Sequence, residues 1–202
     1  MVGILDYKMG NVKSVTNAVD LLGEEYTIVR TPGDFAAIDY LIMPGVGSFS
    51  KGMENLKQAQ FIEPIKDHIH KGKPFLGICL GMQLLATVGF EGGESKGLDI
   101  IPGTVEKFKA LYNIRIPHVG WNSVQIVQDK NSLFNGIANG SDFYFTHSYH
   151  YLLEDNKHLF CSTDYGYQFA SAIQKDNVVA TQFHPEKSQD KGLRFLSNFF
   201  KM

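Results

Sequence analysis

A single cysteine lies between two glycines in the apolar segment PFLGICLGMQLL. A strand that stops at Ile78 and a helix that begins near Leu80 would leave Cys79 on the sharp turn between them. Gly77 and Gly81 lack a Cβ atom and therefore allow tight backbone geometry and close packing of strand and helix. The positive end of the helix favours a thiolate, and the Leu80 N–H could donate to an oxyanion. The segment predicts a cysteine nucleophile, although a buried core cysteine is the alternative.

A histidine and a carboxylate lie two residues apart in a second segment, QFHPEKS, which follows an apolar run. Pro185 restricts His184 to extended geometry, and an extended chain would point the side chains of His184 and Glu186 to the same side. His184 could then take the proton of Cys79 and later give it to a leaving amine, while Glu186 orients the imidazole. By itself such a pair is more often a surface charge pair, so the prediction of a Cys-His-Glu triad needs a fold that joins the two segments.

The composition excludes several classes of function. The chain has 202 residues, of which 44% are hydrophobic, and this length and composition predict a single domain over residues 1–202. Its net charge is −2. Lys and Arg residues are scattered, so we expect no nucleic-acid partner. We also expect no membrane partner, because no apolar segment approaches 18 residues and no basic leader opens the chain. Two distant cysteines without a CxxC pattern favour a reducing, cytoplasmic location.

Alternating strand and helix patterns in the first half predict an α/β fold with a central, mostly parallel sheet and helices on both faces. The predicted strands of this half are Val2 to Leu5, Tyr26 to Val29, Tyr40 to Met43 and Phe75 to Ile78, and the predicted helices start after Asn11 and contain Ile62, Ile65 and Ile69. Short β-type stretches in the second half predict an antiparallel extension of the sheet. They lie around Val105, Val124, Phe143 to Phe145, Phe160 to Thr163, Ala170 to Ile173 and Val178 to Thr181, before a last helix from about Lys191 to Phe200.

GICLGMQLL and QFHPEKS, at this spacing, resemble the class I (triad-type) glutamine amidotransferases, whose glutaminase domain hydrolyses the side-chain amide of glutamine and delivers ammonia to a synthase. Further motifs are similar to one branch of that family, the glutaminase subunits of imidazole glycerol phosphate synthase in histidine biosynthesis. These motifs are DYKMGN (6–11), PGVGSF (44–49), IPHVGWN (116–122) and YFTHSY (144–149). In that branch the glutaminase forms a heterodimer with a (β/α)8-barrel cyclase subunit, so the resemblance implies the same partner.

The resemblance, which extends over essentially the whole chain, also implies roles for individual residues. Cys79 matches the nucleophile that forms a γ-glutamyl thioester, His184 the general base and acid, and Glu186 the residue that orients the histidine. The remaining implied residues are Gly45, Val46 and Leu80 for the oxyanion, and Gly47, Gln83, Ser148 and Tyr149 for the glutamine substrate. No cofactor and no metal are implied.

Several of these residues have simpler interpretations. PGVG after a strand is usually a surface turn, and a glutamine such as Gln83 usually faces solvent. His147 and His150 are typical of a metal site only with a third ligand at a recognisable spacing, and none accompanies them. His118 and Trp121 could be packed edge residues, although an exposed Trp121 would suit a partner interface.

Two positions depart from the family pattern. Lys8 stands where the family usually has glycine, from which we expect that this turn does not need a positive φ. Val119 stands where the family usually has methionine, in a segment that the resemblance implies to be a loop facing the partner. The acceptor of the ammonia therefore has an alternative, a surface-polysaccharide sugar amidotransferase, and a catalytically inert binding module on the same fold is an alternative of another class. We hypothesise that the chain alone is weakly active and that its partner reshapes the PGVG peptide.

Overall fold

The computed structural model describes residues 1–110, 114–128 and 132–202. The strands are β1 (Val2–Leu5), β2 (Tyr26–Val29), β3 (Tyr40–Gly45), β4 (Phe75–Cys79), β5 (Val88–Gly89), β6 (Ser95–Lys96), β7 (Gly103–Lys107), β8 (His118–Ile126), β9 (Ser141–His147), β10 (Tyr149–Leu153), β11 (Leu159–Asp164), β12 (Gln168–Lys175) and β13 (Val178–Thr181). The α-helices are α1 (Val12–Leu21), α2 (Phe49–Gln58), α3 (Ile62–His70), α4 (Leu80–Gln83) and α5 (Gln189–Phe199). Short 3₁₀ turns cover Pro32–Ala37, Asn156–His158 and Pro185–Lys187.

A nine-stranded sheet in the order β2-β1-β3-β4-β13-β12-β11-β8-β9 forms the centre of the fold. The pairings from β2 to β13 are parallel, and those from β13 to β9 are antiparallel. The predicted parallel sheet with an antiparallel extension is therefore confirmed. In its register, Thr181 of β13 lies opposite Ile78 of β4, so the end of β13 delivers the QFHPEKS segment to the turn that carries Cys79.

Hydrophobic side chains cover both faces of the sheet, as its parallel half requires. Successive residues of one strand join different clusters: Ile42 packs with Val19 and Phe195, whereas Met43 packs with Leu56. Helices α1 and α5 supply the first cluster, and α2, α3 and α4 supply residues of the second. The prediction of helices on both faces is confirmed.

A second, four-stranded sheet, which the sequence patterns did not predict, has the order β10-β7-β5-β6. Ser148 alone separates β9, in the large sheet, from β10, in the small one. The HSY motif is therefore the junction between the two sheets. The sequence patterns also missed α2, whose buried residues Phe49, Gly52 and Leu56 recur at helical spacing.

The expectation for Lys8 was wrong. Its φ is 65°, in the left-handed region that favours glycine. The Lys8 N–H donates to Asp6 Oδ1 at 3.3 Å, at the reversal that joins β1 to the helix capped by Asn11. The path of the chain through this reversal sets the backbone angle, whichever residue is present. Across the described residues, no helix is long and apolar enough to cross a membrane.

Candidate active site

Cys79 occupies a strained turn between β4 and α4. Its φ of 55° and ψ of −107° are unusual for a non-glycine residue, and only 5% of its surface is exposed. Gly81 must lack a side chain here, because a Cβ atom would overlap the carbonyl oxygen of Met43 in the neighbouring strand. The helix that follows begins at Leu80, as predicted, and is a single turn. Helix α4 therefore acts on Cys79 mainly through the unpaired N–H groups of this one turn.

His184 and Glu186 form a buried pair. Nδ1 of His184 lies 2.8 Å from Oε1 of Glu186, and both side chains are 2% exposed. The extended path expected between them was wrong: Pro185–Lys187 is a 3₁₀ turn, with proline at its first position and only His184 extended. Pro185 suits the first position of such a turn. The turn brings the side chains of His184 and Glu186 within hydrogen-bond distance. Since Glu186 accepts from Nδ1, the other ring nitrogen, Nε2, is left for chemistry.

Hydrogen bonds to the middle of β9 hold this turn. The His184 N–H donates to the Tyr144 carbonyl at 2.9 Å. The Ser188 hydroxyl donates to the His184 carbonyl at 2.6 Å and accepts from the Tyr144 N–H at 3.0 Å. The last serine of QFHPEKS thereby fixes the backbone of the histidine, which restricts the orientation of the imidazole.

The charges around His184 favour the imidazolium. Burial lowers the pKa of His184, but the negative charge of Cys79 and the charge and hydrogen bond of Glu186 outweigh it and raise the pKa above the ordinary value. Nε2 is buried and makes no hydrogen bond within the described part of the chain. The same arrangement can accept a proton from a thiol, store it beside a carboxylate and return it.

A cavity of about 250 Å³ opens at Cys79. It is lined by Val46, Gly47, Cys79, Leu80, Gln83, Glu91, Pro117, Thr146, His147, Ser148 and Tyr149. All the candidate oxyanion and substrate residues lie around it except Gly45, which pairs with Cys79 between β3 and β4. Its size suits a small metabolite. A larger cavity of about 1000 Å³ is lined by residues such as Gln128, His158 and Lys175 and contains no triad residue, so we assign the chemistry to the smaller one.

Sequence reasoning missed Glu91 and Gln182. Glu91 lines the cavity, and burial raises the pKa of its carboxyl group above the ordinary value. No periodic pattern or motif marks Glu91 in the sequence. Gln182 stands within the quoted QFHPEKS segment, and its Nε2 lies 3.6 Å from the Cys79 sulfur. The Thr146 carbonyl lies 3.8 Å from that sulfur on the β9 side.

Gln83 does not face solvent, because only 3% of its surface is exposed. Its Nε2 donates to the Tyr149 carbonyl and to Oε1 of Gln182, both at 3.0 Å. Since Gln182 in turn contacts Cys79, Gln83 connects the cysteine to the first residue of β10. Gln83 therefore links β10, in the small sheet, to the segment that follows β13 of the large sheet.

The two candidate oxyanion donors differ in availability. The Leu80 N–H is the first of α4 and has no partner within that helix. The Val46 N–H, in contrast, donates to the Met9 carbonyl at 2.6 Å. In the conformation observed, only one of the two N–H groups is available to an oxyanion.

Two other histidines meet beside the cavity. His118 Nδ1 lies 3.0 Å from His147 Nε2, and His147 Nδ1 lies 2.7 Å from the Tyr149 carbonyl. A carbonyl only accepts, so His147 carries its proton on Nδ1 and accepts from His118. His118 is 3% exposed and stacks on Phe145, which confirms its interpretation as a packed residue. In the described ranges, no group of three or more metal-ligating side chains is present.

The chain is similar to known proteins over its whole length. A family described as "Glutamine amidotransferase class-I" matches residues 3–202. The "Imidazole glycerol phosphate synthase subunit HisH 1" of Campylobacter jejuni subsp. jejuni serotype O:23/36 (strain 81-176) is 45% identical over 203 residues, covering 100% of both chains. The "Imidazole glycerol phosphate synthase subunit HisH" of Syntrophotalea carbinolica is 44% identical over 207 residues, also covering 100% of both.

Solved structures share the fold at much lower identity. PurLQS from Thermotoga maritima superposes with a TM-score of 0.77 at 16% identity, covering 99% of this chain and 97% of that one. The glutaminase domain of CTPS from Trypanosoma brucei, with bound acivicin, gives a TM-score of 0.66 at 16% identity, covering 99% and 93%. At this identity the likeness concerns the fold alone.

Proposed function

Because the chain belongs to the class I glutamine amidotransferase family, we propose that it hydrolyses glutamine to glutamate and ammonia, with Cys79 as the nucleophile. The observation that carries this proposal is the buried His184–Glu186 pair at the end of β13, directly beside the strand that ends in Cys79. A nucleophile, a base and a carboxylate that orients the base are the three groups that acyl transfer requires.

In the proposed reaction His184 takes the thiol proton, and the sulfur attacks the side-chain carbonyl carbon of glutamine. The tetrahedral oxyanion accepts from the Leu80 N–H. Its C–N bond then breaks, and His184 Nε2 gives the proton to the nitrogen, which leaves as ammonia. Water attacks the resulting thioester and passes a proton back through His184, which restores the Cys79 thiol and releases glutamate. Glu186 holds the imidazole and balances its charge throughout.

We propose that the cavity residues bind the rest of the glutamine molecule. The Glu91 carboxyl group supplies charge of the sign that an α-ammonium group requires. Gly47, Ser148 and Tyr149 line the remaining wall, and Gln83 holds the Tyr149 backbone in place. These substrate contacts are predictions.

The oxyanion peptide is proposed to be the switch for activity. In the resting conformation the Val46 N–H is bound to the Met9 carbonyl, which supports a weakly active free chain. A turn of the Gly45–Val46 peptide would release this N–H and give the oxyanion its second donor. Loss of one such donor typically slows acyl transfer about 10²- to 10³-fold, so the turn is sufficient for a large activation.

The partner proposed to drive this turn is a cyclase subunit of imidazole glycerol phosphate synthase, with which the chain would form a heterodimer. The names of the relatives described above support this partner over a sugar amidotransferase. Val119 and Trp121, which are 57% and 48% exposed on β8, offer an apolar surface that suits such an interface. A cytoplasmic location and a single domain over residues 1–202 remain predictions.

The experiment measures glutamate release by the purified chain, alone and with the cyclase subunit of the same organism and its nucleotide ligand. We expect slow release alone and strong activation in the complex, with Cys79→Ala inactive in both. The matched control is Cys161→Ala, which changes the chain's other buried cysteine and should stay active.

Labelling with a glutamine-mimicking electrophile separates the alternatives. Mass added at Cys79 supports the nucleophile, whereas no added mass and no glutamate release would favour the inert binding module. Cys79-dependent release that the cyclase leaves unchanged would reject the proposed partner and favour the sugar amidotransferase.

A further inference from the structure

The hydroxyl group of Tyr7 is an anomaly in the core. Tyr7 is 1% exposed, and its hydroxyl makes no hydrogen bond among the described residues. A buried hydroxyl without a partner costs free energy, and a phenylalanine would fill the same space without that cost. Neither packing nor stability therefore explains the presence of the Tyr7 hydroxyl group.

This hydroxyl lies against the candidate oxyanion strand. A Cβ atom on Gly45 would overlap the Tyr7 hydroxyl, so the phenol directly contacts this glycine. Tyr7 is fixed there, because its carbonyl accepts from Asn55 Nδ2 of helix α2 at 3.0 Å. Two residues later, Met9 holds the next peptide of the strand by accepting from the Val46 N–H. Tyr7 and Met9 thus both contact the segment whose peptide must turn.

The turn creates a need for a donor. In a trans peptide the N–H and the carbonyl point in opposite directions. The Val46 N–H now points at Met9, so the Gly45 carbonyl points away from it. After the turn, the Gly45 carbonyl would face the Met9 carbonyl, and two acceptors would be left without a donor between them. The Tyr7 hydroxyl is a buried donor in contact with Gly45 and has no hydrogen-bond partner in the part of the chain that the structure describes.

We propose that the Tyr7 hydroxyl donates to the Gly45 carbonyl in the turned peptide and so stabilises the active oxyanion hole. This inference rests on the proposed glutaminase function and names a positioning residue for it. Tyr7 is not among the residues that line the cavity. Burial and the charge on Cys79 raise the pKa of Tyr7 far above the ordinary value, so the phenol keeps its proton and acts only as a donor.

The test compares Tyr7→Phe with the unchanged chain, each in complex with the cyclase subunit and its nucleotide ligand. We expect the kcat for glutamate release to fall about 10-fold, the usual effect of losing one hydrogen bond of about 1.4 kcal/mol, with the KM for glutamine unchanged. The matched control is Tyr151→Phe, which removes another buried phenol hydroxyl, one that donates to the Ile101 carbonyl. This control should change the kcat less than twofold.

Alkylation of Cys79 by iodoacetamide provides the second readout, because this reaction forms no oxyanion. We expect the alkylation rate of Tyr7→Phe to equal that of the unchanged chain. An unchanged kcat would overturn the inference, as would a parallel fall in the alkylation rate, which would mean that Tyr7 acts on the thiol. If the unchanged complex itself lacked Cys79-dependent glutamate release, the proposed function would fail instead.

Discussion

Two buried histidine sites lie near Cys79, and they differ in what accepts their protons. His184 has a carboxylate, Glu186, 2.8 Å from Nδ1. His147 has only the Tyr149 carbonyl, and its other ring nitrogen accepts from His118. The pKa of His184 is raised above its ordinary value, whereas burial lowers the pKa of His118 to about 4 and that of His147 to about 3.

Burial lowers the pKa of a histidine, and at His184 the negative charges of Cys79 and Glu186 outweigh this effect. His184 can therefore carry a proton during catalysis at neutral pH. His118 and His147 remain neutral connectors with fixed tautomers, and they link β8 to the start of β10 at the cavity wall. A positive charge on His184 further lowers the pKa of His147, so the two sites cannot easily be charged together.

The largest effect is expected from His184→Gln, which removes the proposed base. We expect glutamate release by the activated complex to fall about 10³-fold. His68→Gln is a matched control, because it changes a buried histidine bonded to the Pro74 carbonyl, remote from the cavity. Retention of more than a tenth of the activity by His184→Gln would reject it as the base.

Glu186→Gln removes the carboxylate that distinguishes the site of His184 from the neutral pair of His118 and His147. The glutamine side chain is uncharged, so we expect a loss of about 10²-fold in kcat, less than for His184→Gln. Because Glu186 raises the pKa of His184, its removal should also shift the alkaline limb of the pH profile to lower pH. An unmoved limb, measured by kcat from pH 6 to pH 10, would mean that the carboxylate does not set the charge of the imidazole.

The neutral pair should make stability depend on pH with a definite sign. The unfolded chain protonates histidine near pH 6.5, while burial keeps folded His118 and His147 neutral down to about pH 4 and about pH 3. The unfolded state thus binds more protons in this window, and stability must fall as the pH falls through it. His184 has the opposite sign, because its stabilisation is present at low pH and is lost as the pH rises through its raised pKa.

His118→Phe isolates the acid-side effect. Phenylalanine can keep the stacking on Phe145 and Tyr165 but cannot be protonated. We expect the urea midpoint of this variant to fall less than that of the unchanged chain between pH 6.5 and pH 4. Equal slopes for the two proteins would show that His118 is not among the groups that take up protons on acid unfolding.

The sequence predicted the local parts of the catalytic site better than the distant ones. The glycines around Cys79 predict the sharp turn between β4 and α4, because close steric contacts at this turn require residues without a Cβ atom. Glu91, in contrast, lines the cavity only because the small sheet brings it there, and no local pattern signals that sheet. Lys8 shows the same limit, since its positive φ is imposed by the connection from β1 to α1 rather than by its own preference.

The smallest effect is expected from a change at Asn122, which contacts the neutral pair of His118 and His147. Asn122 Nδ2 lies 3.3 Å from His118 Nε2 and donates to the Asp164 carbonyl at 2.9 Å. Asn122→Ala leaves the His118 nitrogen without a donor, so we expect a loss of about 1 kcal/mol in the free energy of unfolding at pH 7. Glutamate release should stay within about twofold, because a neutral connector moves no proton.

Asn139→Ala, which changes an asparagine bonded to the Ile126 N–H, is the control for loss of an edge contact. A loss of activity as large as that of Glu186→Gln would mean that the His118–His147 pair takes part in proton transfer, and the distinction between the two sites would collapse.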